Sequence, residues 1–362
     1  MSSFATLLTG DPAPWFRQRC TTPQGDYTFD MAAGRFVLLF LFDSAASSDA
    51  QAGLEAIAAR RSLFDDKDGS FFGVSADPAD EGRLRAELPG IRFFQDADGL
   101  VGRLYGSRPL DGGGPGRAIW FLLDRSLRVI AATLDAPGAA SRMIGSLEIA
   151  LQREGAATEW PAPALVLPDV FEPEFCSRLI DYYDKQGGTP SGVFTQRGDA
   201  PSHAVTDTRF KRRSDCPVRD RSLVEQIQAR IVRRVVPAIR SAFQFEATQL
   251  ERLILASYDS AELGCFGPHR DNTVSATAHR KFAVSINLND GFQGGELVFP
   301  EFGRRRYRPG AGGAVIFSCS LMHQVTPVTA GRRLACLPFV YDEAGAVIKR
   351  ANRAEVATPA GS

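Results

Sequence analysis

The run RFVLLFLF at residues 35–42 is the feature that most limits what this chain can fold into. A nearly unbroken apolar run of this length is typical of a strand that is buried on both faces of a sheet. A segment with helical spacing follows at residues 49–64, and similar apolar runs recur at 70–76 and 117–124. Strands that alternate with helices predict an α/β sheet with helices on both faces. A strand at residues 128–134 and a helix at 139–154 complete the predicted set.

The pattern changes after a segment rich in Pro and Ala that runs from Gly155 to Phe175. We interpret its first part as a linker, which predicts an N-terminal α/β domain at residues 1–156 and a second domain at 157–362. The second part of the chain combines a few helices with many short strands, which predicts a double-sheet jelly roll (a double-stranded β-helix) with packed helices. The predicted helices lie within residues 164–186 and 222–243, and the predicted strands at 252–260, 282–290, 295–302, 314–319 and 333–342.

The overall charge and the spacing of the cysteines limit which partners and which cellular compartment we expect for this protein. Lys plus Arg number 42 and Asp plus Glu also number 42, so the overall charge gives no reason to expect a nucleic acid or an anionic membrane as partner. The sequence shows neither an apolar stretch of 18 residues nor a signal peptide at its start. The six cysteines are scattered and form no CxxC pair, so we expect free thiols and a cytoplasmic protein.

The segment GPHRDN places a histidine two residues before an acid in a chain with only four histidines. In an extended strand, residues i and i+2 point to the same face, so His269 and Asp271 can reach one metal ion together. Two histidines and one carboxylate form the facial triad of non-haem iron(II) oxygenases, and His323 supplies a second histidine 54 residues downstream. Taken alone, His-x-Asp also fits a solvated surface loop.

Arg333 follows His323 by ten residues and opens another predicted strand. The planar guanidinium group matches the geometry of a carboxylate, such as the distal carboxylate of 2-oxoglutarate. Its neighbour Arg332 should point to the opposite face of the strand. The spacing of the His-x-Asp pair, His323 and Arg333, together with the GGEL segment at residues 294–297, favours an iron and 2-oxoglutarate site over a chance pattern.

The segments LVLPDVFEPEFCSRLI, FGPHRDN, GGELVFPEF and HQVTPVTAGRR resemble the prolyl 4-hydroxylase-like branch of the 2-oxoglutarate/Fe(II) dioxygenases, over about residues 163–342. The resemblance implies that His269, Asp271 and His323 bind Fe(II), that Arg333 binds 2-oxoglutarate and that Tyr258 helps to hold it. A partly buried strand tyrosine is the alternative for Tyr258.

The same resemblance implies that molecular oxygen and 2-oxoglutarate are consumed, that succinate and CO2 are released and that an unactivated C–H bond is hydroxylated. It adds ascorbate as an optional cofactor. Because Asp271 retains its carboxylate, hydroxylation is favoured over halogenation. The substrate stays open between a protein or peptide, prolyl residues included, and a small molecule.

The segments GDPAPWF, FFQDADGLVGRLYG and RAIWFLLDRSLRVI resemble a peroxiredoxin of the thioredoxin fold, over about residues 5–152. In that family a Pro, a Thr or Ser, and the reactive Cys form a motif whose spacing falls here on Asp43, Ser47 and Ala50, so the reactive cysteine is absent. Arg117 stands at the position of the family's active-site arginine. We therefore expect an inactive domain that serves as a scaffold, a docking module or a homodimerisation surface.

Two further function classes remain open. The protein could be a thiol peroxidase that acts through Cys20, or a sensor that binds iron and 2-oxoglutarate without turnover. His279 is expected to be structural, His203 to lie in a loop, and Cys265 and Cys319 to fill space near the site. The basic runs at residues 209–213 and 304–308 could recognise an acidic substrate, but solvated surface is the favoured interpretation for each run alone.

Overall fold

The computed structural model describes residues 3–112, 114–154, 160–195, 203–205 and 207–352. Over these ranges the protein is a mixed α/β structure that divides into two compact units. The first unit comprises residues 1–160 together with 300–303, and the second comprises 161–299 together with 304–362. The predicted boundary at residues 156 and 157 lies outside the described residues and stays a prediction.

The first unit contains a five-stranded mixed sheet in the order β5-β4-β3-β6-β7. Strand β3 runs parallel to β4 and antiparallel to β6, and β6 pairs antiparallel with β7, as the sequence predicts for residues 128–134. The strands of this unit are β1 Arg17–Arg19, β2 Asp26–Thr28, β3 Phe36–Phe42, β4 Gly69–Ser75, β5 Ile91–Gln95, β6 Ile119–Leu123 and β7 Val129–Leu134, and its helices are α1 Ser48–Ala59, α2 Leu100–Leu104 and α3 Ala139–Glu154.

Both faces of this sheet are covered, which is why β3 consists of apolar residues only. Phe40 stacks on Trp120 with ring centroids 3.8 Å apart, in a core that also contains residues of α1 and α3. A second aromatic cluster forms where Phe72 and Phe94, from neighbouring strands, meet Phe29. Burial of these large rings supplies the main stabilisation of the sheet.

The second unit is built on two largely antiparallel sheets. The larger sheet has the order β14-β25-β17-β24-β15-β13-β9, and β21 joins it by pairing with β17 and β8. The smaller sheet has the order β12-β16-β22-β19-β20. The strands of both sheets are β8 Ala164–Leu167, β9 Thr189–Pro190, β12 Lys211–Arg212, β13 Ser214–Pro217, β14 Gln249–Glu251, β15 Ile254–Asp259, β16 Cys265–His269, β17 Phe282–Asn287, β19 Leu297–Val298, β20 Arg306–Tyr307, β21 Ala314–Ser318, β22 His323–Val325, β24 Arg332–Cys336 and β25 Phe339–Tyr341.

Among the described residues of the second unit, two further strand pairs lie outside these two sheets. They are β10 Val193–Thr195 with β11 His203–Val205, and β18 Gln293–Gly294 with β23 Val328–Ala330.

The helices of the second unit cover the larger sheet. Their bounds are α4 Pro173–Gln186, α5 Arg221–Arg230, α6 Val236–Phe243 and α7 Glu343–Asn352. Leu179 and Ile227, from α4 and α5, pack in one core with the strand residues Leu255 and Ile316. This core holds one face of the larger sheet in place and leaves the other face for the site described below. Among the described residues, none of the helices combines the length and apolar character that crossing a membrane requires.

Candidate active site

The two histidines singled out by the sequence are cross-strand neighbours. His269 ends β16, His323 begins β22, and the two residues lie opposite each other in the antiparallel pair. Asp271 follows two residues after His269, and its backbone N–H donates to the carbonyl of Cys319 at 3.0 Å. One ligand atom from each of the three side chains lies within 4.8 Å of the other two. The fold therefore brings His269, Asp271 and His323 to one point.

Backbone hydrogen bonds orient both imidazole rings. Nδ1 of His269 lies 2.8 Å from the carbonyl of Gly267, and Nδ1 of His323 lies 3.0 Å from that of Leu321. Because a carbonyl only accepts, each Nδ1 carries the proton and each Nε2 keeps a free lone pair. The two Nε2 atoms lie 3.6 and 3.3 Å from the carboxylate oxygens of Asp271. This is the orientation that metal-binding histidines need.

Burial and neighbouring groups shift the pKa values of His323 and Asp271. It lowers the pKa of His323 to about 4, and the neighbouring His269 adds to the effect, so His323 is neutral at pH 7. Burial acts to raise the pKa of Asp271, but His323 and His269 outweigh it and hold the pKa well below its usual range. Neutral imidazole nitrogen and an ionised carboxylate are the forms in which these side chains bind a metal. The donor set fits iron(II) of the facial-triad type.

Arg333 is buried on β24 and has one unused donor. Its Nε donates to Oδ1 of Asn287 at 3.0 Å, and its Nη2 donates to Oγ of Ser285 at 2.8 Å. Its Nη1 is buried and has no hydrogen-bond partner among the described residues. A buried donor without a partner is costly, so this atom fits a site for an incoming carboxylate. Arg332 points outward, where its Nη2 lies 2.9 Å from Asp184, as strand alternation predicts.

Tyr258 lies directly opposite Arg333 in the pairing of β15 with β24. Its side chain is buried, and the guanidinium carbon of Arg333 lies 5.3 Å from the centre of its ring. Nη1 of Arg213 lies 3.3 Å from the Tyr258 hydroxyl and donates to it. The tyrosine therefore lies beside two guanidinium groups, with its ring near that of Arg333 and its hydroxyl bonded to that of Arg213.

The glycines of the GGEL motif make room for this arrangement. Gly294 and Gly295 have φ angles of +72° and +68°, a region that favours glycine. A Cβ atom on Gly295 would lie 3.1 Å from Cδ of Arg333, and one on Gly294 would collide with the carbonyl oxygen of Pro327. The motif thus preserves the position of Arg333.

All five sequence-predicted site residues line one cavity between the two sheets of the second unit. The cavity has a volume of about 460 Å³, which includes space that is open to solvent. Its apolar wall includes Phe266, which stacks on His269 with ring centroids 3.5 Å apart, and Phe317, whose ring centre lies 4.5 Å from that of His323. The proposed metal ligands and the free donor of Arg333 thus face the same space.

Residues 253–341 match the family model described as the 2OG-Fe(II) oxygenase superfamily. The matched segment contains all three residues of the triad, as well as Tyr258 and Arg333. The chain contains a 2OG-Fe(II) oxygenase domain.

Curated relatives of this oxygenase domain are PKHD-type hydroxylases. The protein from Nitrosomonas europaea is 36% identical over a match that covers 28% of this chain and 49% of the relative. The protein from Maricaulis maris is 34% identical, with 25% and 42% covered. The chain spans about half the length, or less, of these relatives.

Solved structures similar to the chain include prolyl hydroxylases. The enzyme of Trichoplax adhaerens, in complex with a hypoxia-inducible factor peptide fragment, is 15% identical over 51% of this chain and 86% of its own, with a TM-score of 0.42. The prolyl 4-hydroxylase of Pseudomonas putida is 17% identical over 49% and 92%, with a TM-score of 0.39. A thiol:disulfide interchange protein DsbE from Chlorobium tepidum is 19% identical over 40% and 99%, with a TM-score of 0.33.

The interpretation of residues 209–213 as solvated surface is wrong for two of the four basic residues in this run. Lys211 and Arg213 are buried, and Arg213 lines the cavity together with Arg252. Lys211, Arg213 and Asp215 are spaced by two residues, the spacing that places side chains on one face of a strand. This alternation was the signal in the sequence. The run at residues 304–308 is exposed at all three residues from 304 to 306 and at 308, as expected.

Among the side chains that the structure describes, the other histidine and the cysteines do not join the triad. His279 is buried, with Nε2 2.9 Å from Oε1 of Glu251, which fits the structural role expected for it. His203 lies in β11, but its side chain is outside the described part of the structure. Cys265 and Cys319 are buried free thiols near the triad, as expected of residues that fill space.

The first unit has no thiol at the position that a peroxiredoxin uses. Ser47 caps α1 by accepting from the backbone N–H of Ala50, and Ala50 itself is buried. Arg117 donates to the carbonyl of Gly106 at 2.8 Å, and its guanidinium carbon lies 4.1 Å from the ring centre of Phe4. Cys20 is buried in another segment, and burial raises its thiol pKa to about 11.

Proposed function

We propose that the protein is a dioxygenase that uses Fe(II) and 2-oxoglutarate to hydroxylate an unactivated C–H bond, with succinate and CO2 as coproducts. The observation that carries the proposal is the shared cavity, in which two imidazoles and a carboxylate face the same space as a buried guanidinium group whose Nη1 has no partner among the described residues. The substrate is a protein, a peptide (prolyl residues included) or a small molecule. Similarity to PKHD-type hydroxylases supports hydroxylation.

In this proposal each side chain has a defined task. His269, Asp271 and His323 hold the metal through Nε2, a carboxylate oxygen and Nε2. When bound, Fe(II) with 2-oxoglutarate and molecular oxygen supplies the oxidising power for the C–H bond. Arg333 pairs through Nη1 with the distal carboxylate of 2-oxoglutarate, and the Tyr258 hydroxyl is placed to contact the same molecule. Phe266 and Phe317 exclude water from the rings of the two histidines.

The fold proposed for the two units follows the same reasoning. The paired antiparallel sheets with helices on the larger one support a double-stranded β-helix (jelly roll) for the second unit. The mixed sheet of the first unit, covered on both faces, supports a thioredoxin-like fold of the peroxiredoxin type. The missing thiol at residue 50 supports an inactive first domain that acts as a scaffold, docking module or dimerisation surface.

The proposal is tested by succinate formation and by metal binding in the same protein samples. Wild-type protein with Fe(II), 2-oxoglutarate and oxygen should form succinate, and mass spectrometry of a cell extract treated in this way should show a compound that gains one oxygen atom. His323→Ala should lose both succinate formation and high-affinity metal binding, because two ligands hold iron less firmly than three. His279→Asn, which changes a buried histidine outside the cavity, should keep both. Full turnover by His323→Ala would refute the triad, whereas metal and 2-oxoglutarate binding without succinate would indicate a sensor.

A further inference from the structure

The cavity holds more positive charge than the proposed cofactors require. Besides Arg333, it is lined by Arg213 and Arg252, and Lys211 lies 4.6 Å from the ring centre of Phe266, which forms part of the wall. Asp271 and Asp215 are the carboxylates in contact with this group of residues. Buried charges are costly unless each is paired, so the balance of charges indicates what the cavity is built to receive.

The charges can be matched one by one. The two carboxylates of 2-oxoglutarate would balance the two charges of iron(II), and Asp271 would balance Arg333. Asp215 then remains for both Arg213 and Arg252. Nη2 of Arg213 donates to it at 2.8 Å, and Nη2 of Arg252 donates to the same oxygen at 3.2 Å. Among the described residues, neither arginine has a second carboxylate partner, so one guanidinium lacks a counter-ion.

The pKa values of the basic groups in the cavity reflect this excess of positive charge. Burial, together with the charge of Arg213, lowers the pKa of Arg252 to about 10. Burial likewise lowers the pKa of Lys211 to about 6, again with Arg213 as the next cause. The Oδ2 atom of Asp215 that accepts from both arginines also accepts from the Ser191 hydroxyl. The cations therefore repel one another in a site with too little negative charge.

The backbone at Arg252 adds an independent observation. Its φ angle is +60°, a conformation that a residue with a side chain rarely adopts. Such conformations persist where the surrounding structure requires them, and they cluster at binding sites. Arg252 is also only partly buried, with 29% of its side chain exposed, so a ligand entering the open cavity can reach it. Arg213 lies deeper and is fixed by Asp215 and by the Tyr258 hydroxyl.

We propose that Arg213 and Arg252 bind an oxyanion of the substrate, a carboxylate or a phosphate, and so hold an anionic substrate in the cavity beside the metal ligands. This inference rests on the dioxygenase function proposed above. A guanidinium group presents paired N–H donors that match the oxygens of either anion. Binding would supply the missing counter-charge and relieve the repulsion between the two arginines. Asp215 acts as a positioning residue that holds both guanidinium groups in place.

The test measures binding of inorganic phosphate and of acetate to the full-length protein, kept anaerobic and loaded with Fe(II) and saturating 2-oxoglutarate. Saturation keeps the probes from Arg333, and calorimetry at constant ionic strength gives each affinity. We expect at least one probe to bind, and Arg252→Gln to weaken it by about tenfold or more, the effect of losing one charge-assisted pair. Arg252→Lys should bind with intermediate affinity. Arg209→Gln should bind like wild type, because that side chain is 91% exposed and lies on the surface.

The outcomes separate this inference from the function on which it rests. If the loaded wild-type protein binds neither probe at tens of millimolar, or if Arg252→Gln binds as well as wild type, the oxyanion site is refuted. The affinity for 2-oxoglutarate, measured for each variant, shows that the protein is folded and that the dioxygenase site is intact. If wild-type protein fails to bind 2-oxoglutarate, the proposed function fails first. A preference for phosphate over acetate, or the reverse, identifies the chemistry of the substrate anion.

Discussion

At the scale of single residues, the structure separates two adjacent arginines. Arg333 is buried and has a free Nη1, whereas Arg332 points outward and pairs with Asp184. We predict that Arg333→Ala costs about 2–5 kcal/mol of 2-oxoglutarate binding, because the desolvated carboxylate loses its charged partner. The dissociation constant should rise by about 30-fold or more. The dissociation constant of Arg333→Lys should lie between those of Arg333→Ala and wild type, because lysine keeps the positive charge but lacks the paired N–H donors of the guanidinium group.

Arg332→Ala is the matched control for this prediction. Its ion pair with Asp184 is partly exposed, so its loss should change 2-oxoglutarate binding little. Binding of 2-oxoglutarate by the three variants is measured in the presence of metal and absence of oxygen. A severe effect of Arg332→Ala with a mild effect of Arg333→Ala would contradict the assignment of the anchor.

The residues of the site differ in how far the sequence could predict them. His269, Asp271 and Arg333 follow from strand alternation and spacing, which are local properties. Arg213 shares the two-residue alternation of its segment, but no local pattern places Arg252 beside it, because the two arginines meet at Asp215 only in the folded chain. A basic run looks like solvated surface until its strand is known to face a cavity.

At the scale of elements, proline explains where the predicted strands are too long. The strand predicted at residues 295–302 is only β19, Leu297–Val298, and a 3₁₀ turn begins at Pro300. The strand predicted at residues 333–342 is divided into β24 and β25 at Leu337–Pro338. Proline has no N–H for the ladder, so it interrupts a strand even where the apolar pattern continues. The apolar pattern reports burial and does not by itself report hydrogen bonding.

The predicted helix at residues 222–243 is one continuous helical segment with a π-helical turn at Ile231–Val235. Its apolar face is buried as the spacing predicts, and Ile227 is fully inaccessible. We predict that Ile227→Ala lowers the free energy of unfolding by about 2–5 kcal/mol, because it leaves a cavity against the larger sheet. Urea unfolding followed by circular dichroism measures the change.

Val232 on the same segment provides the control. It is 62% exposed, so Val232→Ala should change the free energy of unfolding by about 0.5 kcal/mol or less. Equal effects of the two substitutions would show that the helix does not pack through the face we assign to it.

At the scale of the whole molecule, the overall charge conceals a local imbalance. Acidic and basic side chains number 42 each, yet the cavity gathers Arg213, Arg252 and Arg333 around Asp215 and Asp271. A balanced composition therefore argues against a large charged partner and has no bearing on the charge of a small ligand. The placement of the charges, which depends on the fold, is what indicates the substrate.

The last prediction concerns the first unit, for which we propose an inactive peroxiredoxin-like domain because residue 50 is alanine. The alternative nucleophile, Cys20, is buried, and burial raises its pKa to about 11. Because the thiolate is the nucleophile, only about one Cys20 in ten thousand would be reactive at pH 7. We therefore predict that the metal-free protein, held with a chelator to prevent iron chemistry, consumes peroxide with a thiol reductant at the background rate. Cys20→Ser should leave that rate unchanged, and alkylation of Cys20 in the folded protein should accelerate only as the pH approaches 11. Peroxide turnover comparable to that of an active peroxiredoxin, and lost in Cys20→Ser, would show that this domain has a second chemistry of its own.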